Sequence, residues 1–368
     1  MSARRMTTPR SLSARVIKVA LQACAAALSF LILLAGTLTL FGIRAKTALP
    51  AIADGAFGGW QYGHLYALSE TVVEAVPLIL TGLGVLVAWQ AGMFSIGGEG
   101  QLLIGALSAM TVEHFIGNTP APLITFLMLV ASVVGGALWG GIAGWLRTTR
   151  NVQEVISTIM LNYIALYLVG AAVLGPLQEP SHSGPETALL PDPVLFAHIL
   201  PAAWTGGITA RLHTGVIIAL IAVPCTAVWM YRTRTGFALR LTGRNADAAR
   251  TAGFSVDRVR LIAMVVSGAL CGLAGSVQLL GVSARLDQQF SPGWGYSAIP
   301  VALMGGLTPG GTLVSALFFG ALTAGTNSAE RTAGVPAVVA DVLLAASVMA
   351  VVAIRAWRGR AQLASGGD

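Results

Sequence analysis

The chain has 368 residues, 55% of them hydrophobic and only 10% charged, whereas an ordinary soluble domain is about a quarter charged. With a mean hydropathy of +0.76, that balance excludes a soluble globular protein and marks an integral membrane protein. The net charge of +7 is then no sign of nucleic-acid binding, because the basic residues of membrane proteins collect in cytoplasmic loops.

A spanning helix needs about 20 mostly apolar residues. The first such run is 16–41. Near it, "RR" at 4–5 and "LQAC" at 21–24 superficially resemble a twin-arginine signal and a lipoprotein cleavage box. The apolar stretch before Cys24 is short and interrupted by Lys18, and the run continues to Phe41, too long for a signal h-region, so it reads as an uncleaved spanning helix. Long runs follow at 67–88, 123–146, 154–175, 212–231, 259–281, 311–330 and 335–354, with shorter ones near 101–117 and 295–308. The predicted fold class is all-α, a polytopic transmembrane helical bundle of about ten segments. With the N-terminus inside, the cytoplasmic segments 1–18, 147–154, 231–260 and 355–368 hold 17 of the 22 basic residues. This asymmetry predicts that both termini are cytoplasmic.

Within that order, "WQAGMFSIGGEGQLLIGAL" at 89–107 reads as a helix that stops, turns through Gly97, Gly98 and Gly100, and restarts near Gly100. A similar interruption, "GVSARLDQQFSPGWGYS", follows the run at 259–281. The two broken helices run in opposite directions on this topology, the arrangement of an inverted repeat whose halves are 67–175 and 259–354. Backbone freed at such breaks cannot face lipid and must face protein or a water-filled cavity. The glycines of "VVGGALWGGIAGW" at 133–145, by contrast, read as a helix-packing face.

Polar residues at membrane depth are costly and face a cavity or a polar partner. The candidates for a solute pathway are Glu74, Glu99, Gln101, Asn162, Gln278, Asn327 and Asp341. Glu99 either walls the pathway or accepts free backbone N–H groups at the start of its own helix. Asn162, Gln278 and Asn327 either line the path or join helices by hydrogen bonds. Glu74 lies near Pro77, which permits a bend, and is expected to face inward. Trp60, Tyr62 and Tyr66 suit an interfacial belt, whereas Trp294 and Tyr296, beside the second break, could stack on a base or sugar face.

Enzyme chemistry finds no support in the pattern. A P-loop needs glycines followed by lysine and a hydroxyl residue, and the only two lysines, Lys18 and Lys46, have no glycine before them. The five histidines are scattered, with no metal or nucleophile motif. The three cysteines, Cys24, Cys225 and Cys271, sit in apolar runs as small hydrophobes.

The loop "YRTRTGFALRLTGRNADAARTAGFSVDRVR" at 231–260 carries seven arginines and two aspartates. Its middle, 245–252, reads as a short helix capped by Asn245 and stopped by Gly253. Topology alone explains the arginines, but not the small apolar surface "AARTAG", which suits a knob docking into a partner groove.

"DAARTAG" at 247–253 resembles the coupling-helix motif of ABC importer permeases: Asp247 in place of the usual Glu, then Ala248, Ala249 and Gly253. "FSIGGEGQLLIGA" is similar to the N-I-G-A-E-G-Q signature of permeases of the branched-chain amino acid, ribose and nucleoside importer superfamily. It is closest to the nucleoside and simple-sugar group that works with BMP-type lipoproteins. Ser95 stands where that group commonly has Asn, and Gly98 where it has Ala. The resemblance continues through 151–170, 236–281 and 295–322, in the family's order, and covers 67–354.

What the resemblance implies is a permease subunit in the inner membrane of a bacterium, translocating nucleosides or a related simple sugar by alternating access. Its implied partners are a second permease, cytoplasmic ABC ATPases, which would hold ATP and Mg, and an external BMP-type solute-binding lipoprotein. No cofactor is expected on this chain. The expected organisation is a tail, first helix and external loop at 1–66 and a permease core at 67–354. The core's halves are joined by an external loop 176–211, a helix 212–231 and a coupling loop 232–258, and a tail follows at 355–368. The rival from a different class is an ion- or proton-coupled secondary transporter, which also uses broken inverted repeats. Within the importer class, ribose-type sugars and branched-chain amino acids are the alternative substrates.

Overall fold

The structure, a computed structural model, describes Gly36, 45–59, 64–117, 119–181, 184–201, Trp204, 210–334, Val342 and Ala345. Its regular elements there are helices: α1 (Ala45–Phe57), α2 (His64–Gln90), α3 (Gly98–Ile116), α4 (Ala121–Arg150), α5 (Glu154–Val173), α6 (Gly215–Arg232), α7 (Arg234–Arg244), α8 (Ala246–Thr251), α9 (Val256–Gln278), α10 (Trp294–Met304) and α11 (Pro309–Ala333). Among the described residues, β-structure is limited to isolated bridges, such as His198 with His213. Helices α2, α4, α5, α6 and α9 are long and apolar enough to cross a membrane, which makes this a multi-pass membrane protein. The predicted runs 16–41 and 335–354, with Cys24, Trp60, Tyr62 and Asp341, lie outside the described residues.

The chain divides into two compact units, Met1–Ala53 with Thr326–Asp368, and Asp54–Gly325. In the first, Thr332 Oγ1 donates to Ser328 O at 2.9 Å on the last turns of α11, and Asn327 is half-buried on the same turns.

The second unit is built around α2. Beyond the turns that carry Glu70 and Glu74, that helix is apolar on every side, and 89% of its spanning window is buried against 22% for α4. A helix hydrophobic all round belongs in the interior, so α2 forms the centre. The exposed faces of α4, α5 and α6 carry Leu123, Phe126, Leu138, Ile156, Met160 and Ile217, as a lipid-facing surface requires.

Helices α3, α4 and α9 pack backbone to backbone. A Cβ on Gly136 would lie 2.2 Å from Gly268 O, and one on Gly268 would lie 2.1 Å from Gly136 O. Only hydrogen fits there, which is how small residues let helices associate without a hydrophobic driving force. Ser132 Oγ and Ser276 Oγ, 2.6 Å apart, hydrogen-bond across the same seam.

Two elements depart from the sequence expectation. The stretch within 1–66 expected to be a loop contains α1, with Pro50 inside it. The loop at 231–260 holds two helices rather than one. Thr233 starts α7 by accepting from Gly236 N–H at 3.1 Å, and burial of Ala238 and Leu239 stabilises a segment whose glycines and threonines have low intrinsic helix propensity.

Candidate functional site

The break after α2 is an ordered joint. Gly92 takes φ +73, a left-handed conformation that favours glycine, and the chain reverses there. Across the turn, Trp89 Nε1 donates to Ser95 O at 3.0 Å. Thr158 and Asn162, four residues apart on one face of α5, splint the rest. Thr158 Oγ1 accepts from Ile96 N–H at 3.2 Å. Asn162 Oδ1 accepts from Gly100 N–H at 2.9 Å, while its Nδ2 donates to Ile96 O at 2.9 Å and to Tyr296 Oη at 3.3 Å. The backbone groups of Ser95, Ile96 and Gly100 are therefore satisfied inside the protein, as a membrane environment demands.

Glu99 is buried at 6% exposure. Its Oε2 accepts from Gly295 N–H at 2.8 Å, and the Ser291 hydroxyl is a further hydrogen-bond partner. Gly295 is the second residue of α10. A Cβ there would fall 2.1 Å from Glu99 N and 2.5 Å from Gly98 C. Both broken helices thus begin at one point, and the partial positive charge of two helix starts converges on one carboxylate.

The backbone partner of the Glu99 carboxylate is thus on another helix, α10, and not on its own. Helix α3 begins at Gly98, and around its start Gly97 N–H donates to Ser95 Oγ and Gly100 N–H to Asn162 Oδ1. The carboxylate caps α10, whose own N-cap Gly293 has no side chain to do so.

Of the other candidates, Asn162 and Trp294 belong to this joint, Trp294 as the first residue of α10 with its ring edge-on to Phe290 at 6.4 Å. Gln101 is buried and faces α4, its Nε2 3.0 Å from where a Cβ on Gly140 would stand. Gln278 is buried at the end of α9, where Leu279–Ser283 form a π turn.

Glu74 belongs to a separate cluster. Arg211 Nε donates to Glu70 Oε2 at 2.9 Å, and Arg211 Nη2 lies 3.6 Å from Glu74 Oε1. The sequence reading passes over Glu70, yet its spacing of four residues from Glu74 places both carboxylates on one helix face.

Arg211 ends a segment that packs along the end of α9. Leu190 N–H donates to Ala284 O at 2.8 Å, Phe196 N–H to Leu280 O at 2.9 Å, and Glu186 pairs with Arg285 at 2.7 Å. Beneath it His213 is fully buried and stacked on Phe196 at 5.8 Å, its Nδ1 accepting from Gly215 N–H at 3.2 Å. Burial pushes the His213 pKa down to about 4, with the charges of His198 and Arg211 adding to it. The unfolded imidazole takes up a proton below about 6.5 while the folded one stays neutral, so folding loses stability as pH falls from 6.5 towards 4. The loss between pH 7 and 5 is on the order of 2 kcal/mol. His213→Asn keeps an acceptor for Gly215 and removes the titration. The expected result is a melting temperature in detergent that falls less between pH 7 and 5 than that of the unmodified chain.

At α8, Asn245 Oδ1 accepts from Asp247 N–H and Ala248 N–H, both at 3.0 Å. Gly253, at φ +83, ends the helix in open space. Asp247 is exposed and pairs with Arg250 at 2.6 Å. Ala249, however, is fully buried within the chain. It seats α8 on its own protein, and the exposed residues of the segment are Asn245, Asp247, Arg250, Thr251, Ala252 and Gly253.

Residues 67–353 match the family model described as branched-chain amino acid transport system / permease component. The chain is 37% identical over 287 residues to the glucose ABC transporter permease protein TsgB13 of Haloferax volcanii, covering 77% of this chain and 75% of that one. It is 36% identical over 317 residues to the guanosine ABC transporter permease protein NupP of Bacillus subtilis, 84% of this chain and 88% of that one. The nucleoside ABC transporter permease protein NupB of Lactococcus lactis subsp. cremoris is 34% identical over 317 residues, 82% and 86% of the two chains. The same Bacillus also has the guanosine permease NupQ, 28% identical over 260 residues, 68% and 78% of the two chains. No solved structure matches.

Proposed function

We propose, from the premise that this chain belongs to the branched-chain amino acid transport system permease component family, that it passes nucleosides or a related simple sugar across a bacterial plasma membrane. The chain is the permease subunit of an ABC importer. Its relatives named for guanosine, nucleosides and glucose support that substrate class over amino acids. Two guanosine permeases in one Bacillus, NupP and NupQ, support a heterologous second permease as partner. A cytoplasmic ATPase pair would hold ATP and Mg, and a BMP-type lipoprotein outside would deliver the solute.

The observation that carries the mechanism is the meeting of two helix starts at Glu99 and Gly295. Closure of the ATPases moves the arginine-rich loop at 231–260, and the helices joined at that point rock between inward- and outward-open positions. Glu99 holds the joint, with its carboxylate engaged by α10. Contact with the solute falls to the half-exposed Tyr296 and to Trp294, whose rings suit a base or sugar face. Glu74 is engaged in this reading by Arg211, and Gln101 and Gln278 stay buried inside the protein.

Uptake by the complete transporter in vesicles tests the substrate class. Unlabelled nucleosides are expected to compete with labelled guanosine, and competition by leucine alone would overturn the assignment.

A further inference from the structure

Between the arginine-rich loop and the joint lies a contact that backbone geometry makes unusually close. A Cβ on Gly243, at the end of α7, would lie 2.1 Å from Gln90 O and 3.0 Å from Gly92 N. The end of α7 therefore rests directly on the last residue of α2 and on the glycine where the chain reverses. Leu239, one turn earlier, is fully buried in a cluster with Ala88, Ala91 and Met93 of the α2 end and break, and with Ala298 and Ala302 of α10. From the same residue on α2, Gln90 Nε2 donates to Leu307 O at 2.8 Å, in the turn that follows α10.

The two broken helices are consequently tied at two places. Glu99 joins their starts, and Gln90 joins the end of α2 to the far end of α10. A displacement of α7 meets backbone, with no flexible side chain to absorb it, and packed interiors transmit such strain. Helix α8 is seated on α7 through Asn245, which is the N-cap of α8 and whose N–H donates to Leu241 O at 2.9 Å.

We propose that α7 is the lever of the transporter and that Gln90 is the positioning residue that makes α2 and α10 respond to it as one body. The proposal rests on the permease reading above. Gln90 touches no solute in it: its amide N–H holds Leu307 O, and the lever's push on Gln90 and Gly92 then moves both helices instead of opening a gap between them.

The test uses the complete transporter, with second permease, ATPases and binding protein, reconstituted in proteoliposomes. Solute taken up and ATP hydrolysed are measured together. Gln90→Leu removes the donor and keeps the bulk. The complex is expected to assemble and hydrolyse ATP, while solute carried per ATP falls about tenfold, the scale of one lost hydrogen bond. A merely structural role would lower both quantities together and leave their ratio unchanged, and that result overturns the proposal. Should Gln90→Leu fail to assemble, the pair Gln90→Cys and Leu307→Cys decides the matter, with each single variant as control. A short bifunctional thiol cross-linker is expected to restore the yield per ATP. Loss of transport on cross-linking would show that the two helices move apart during the cycle, which also overturns it. Uptake by the unmodified complex reports on the permease reading separately, since that baseline does not involve either variant.

Discussion

Gly295→Val is expected to abolish solute uptake even where the protein still reaches the membrane. The new Cβ would fall 2.1 Å from Glu99 N and 2.5 Å from Gly98 C, both backbone atoms that no rotamer change can move. The start of α10 must shift away from α3, and the Glu99 carboxylate then loses the Gly295 N–H at 2.8 Å. Loss of that hydrogen bond costs roughly 1 to 3 kcal/mol, and overpacking adds about as much again. Gly310→Val, where nothing lies within 4 Å, is the matched control and is expected to transport normally. Glu99→Gln retains an oxygen for Gly295 and is expected to keep measurable uptake, whereas Glu99→Leu is expected to behave like Gly295→Val. Surface expression with radiolabelled uptake separates these outcomes, and normal transport by Gly295→Val would remove the joint from the mechanism.

The second large effect lies at α8. Ala252 is exposed, so Ala252→Trp leaves the packing of the chain intact while placing a bulky ring on the face proposed to dock with the ATPase. Co-purification of the ATPase is expected to fall at least tenfold with an unchanged melting temperature of the permease. Ala249→Glu, by contrast, buries a charge at a fully enclosed position and is expected to lower the melting temperature as well, since an unpaired buried charge costs several kcal/mol. Unchanged ATPase association in Ala252→Trp would move the docking surface elsewhere.

The sequence makes legible what is local. Asn245 and Gly253 bracket α8 as a cap and a stop, because capping is an interaction of a side chain with backbone two or three residues away. The apolar runs locate the long helices within a few residues, but the expected turn through Gly97, Gly98 and Gly100 is displaced: the chain reverses at Gly92, and Gly98 and Gly100 already belong to α3. What escapes is set at long range. Glu99 and Gly295 are 196 residues apart in the chain, so nothing in "GGEGQ" tells that the carboxylate serves another helix. Arg211 and Glu70 are 141 apart, and only the spacing of Glu70 and Glu74 hints at a shared cation. Helix α7 is hidden by Gly236, Thr242 and Gly243, poor helix formers that tertiary packing overrides. The pattern suggests that Ala249 docks to a partner, whereas packing against its own chain accounts for it.

In the proposed cycle, ATP hydrolysed on partner subunits moves the joined broken helices. The most direct measurement is solute uptake into proteoliposomes that hold the complete complex, with ATP supplied on the ATPase side and the proton and sodium gradients collapsed. Uptake that continues with ATP and stops when a non-hydrolysable analogue replaces it is the predicted result. Uptake driven by an imposed ion gradient in the absence of ATP would contradict the account.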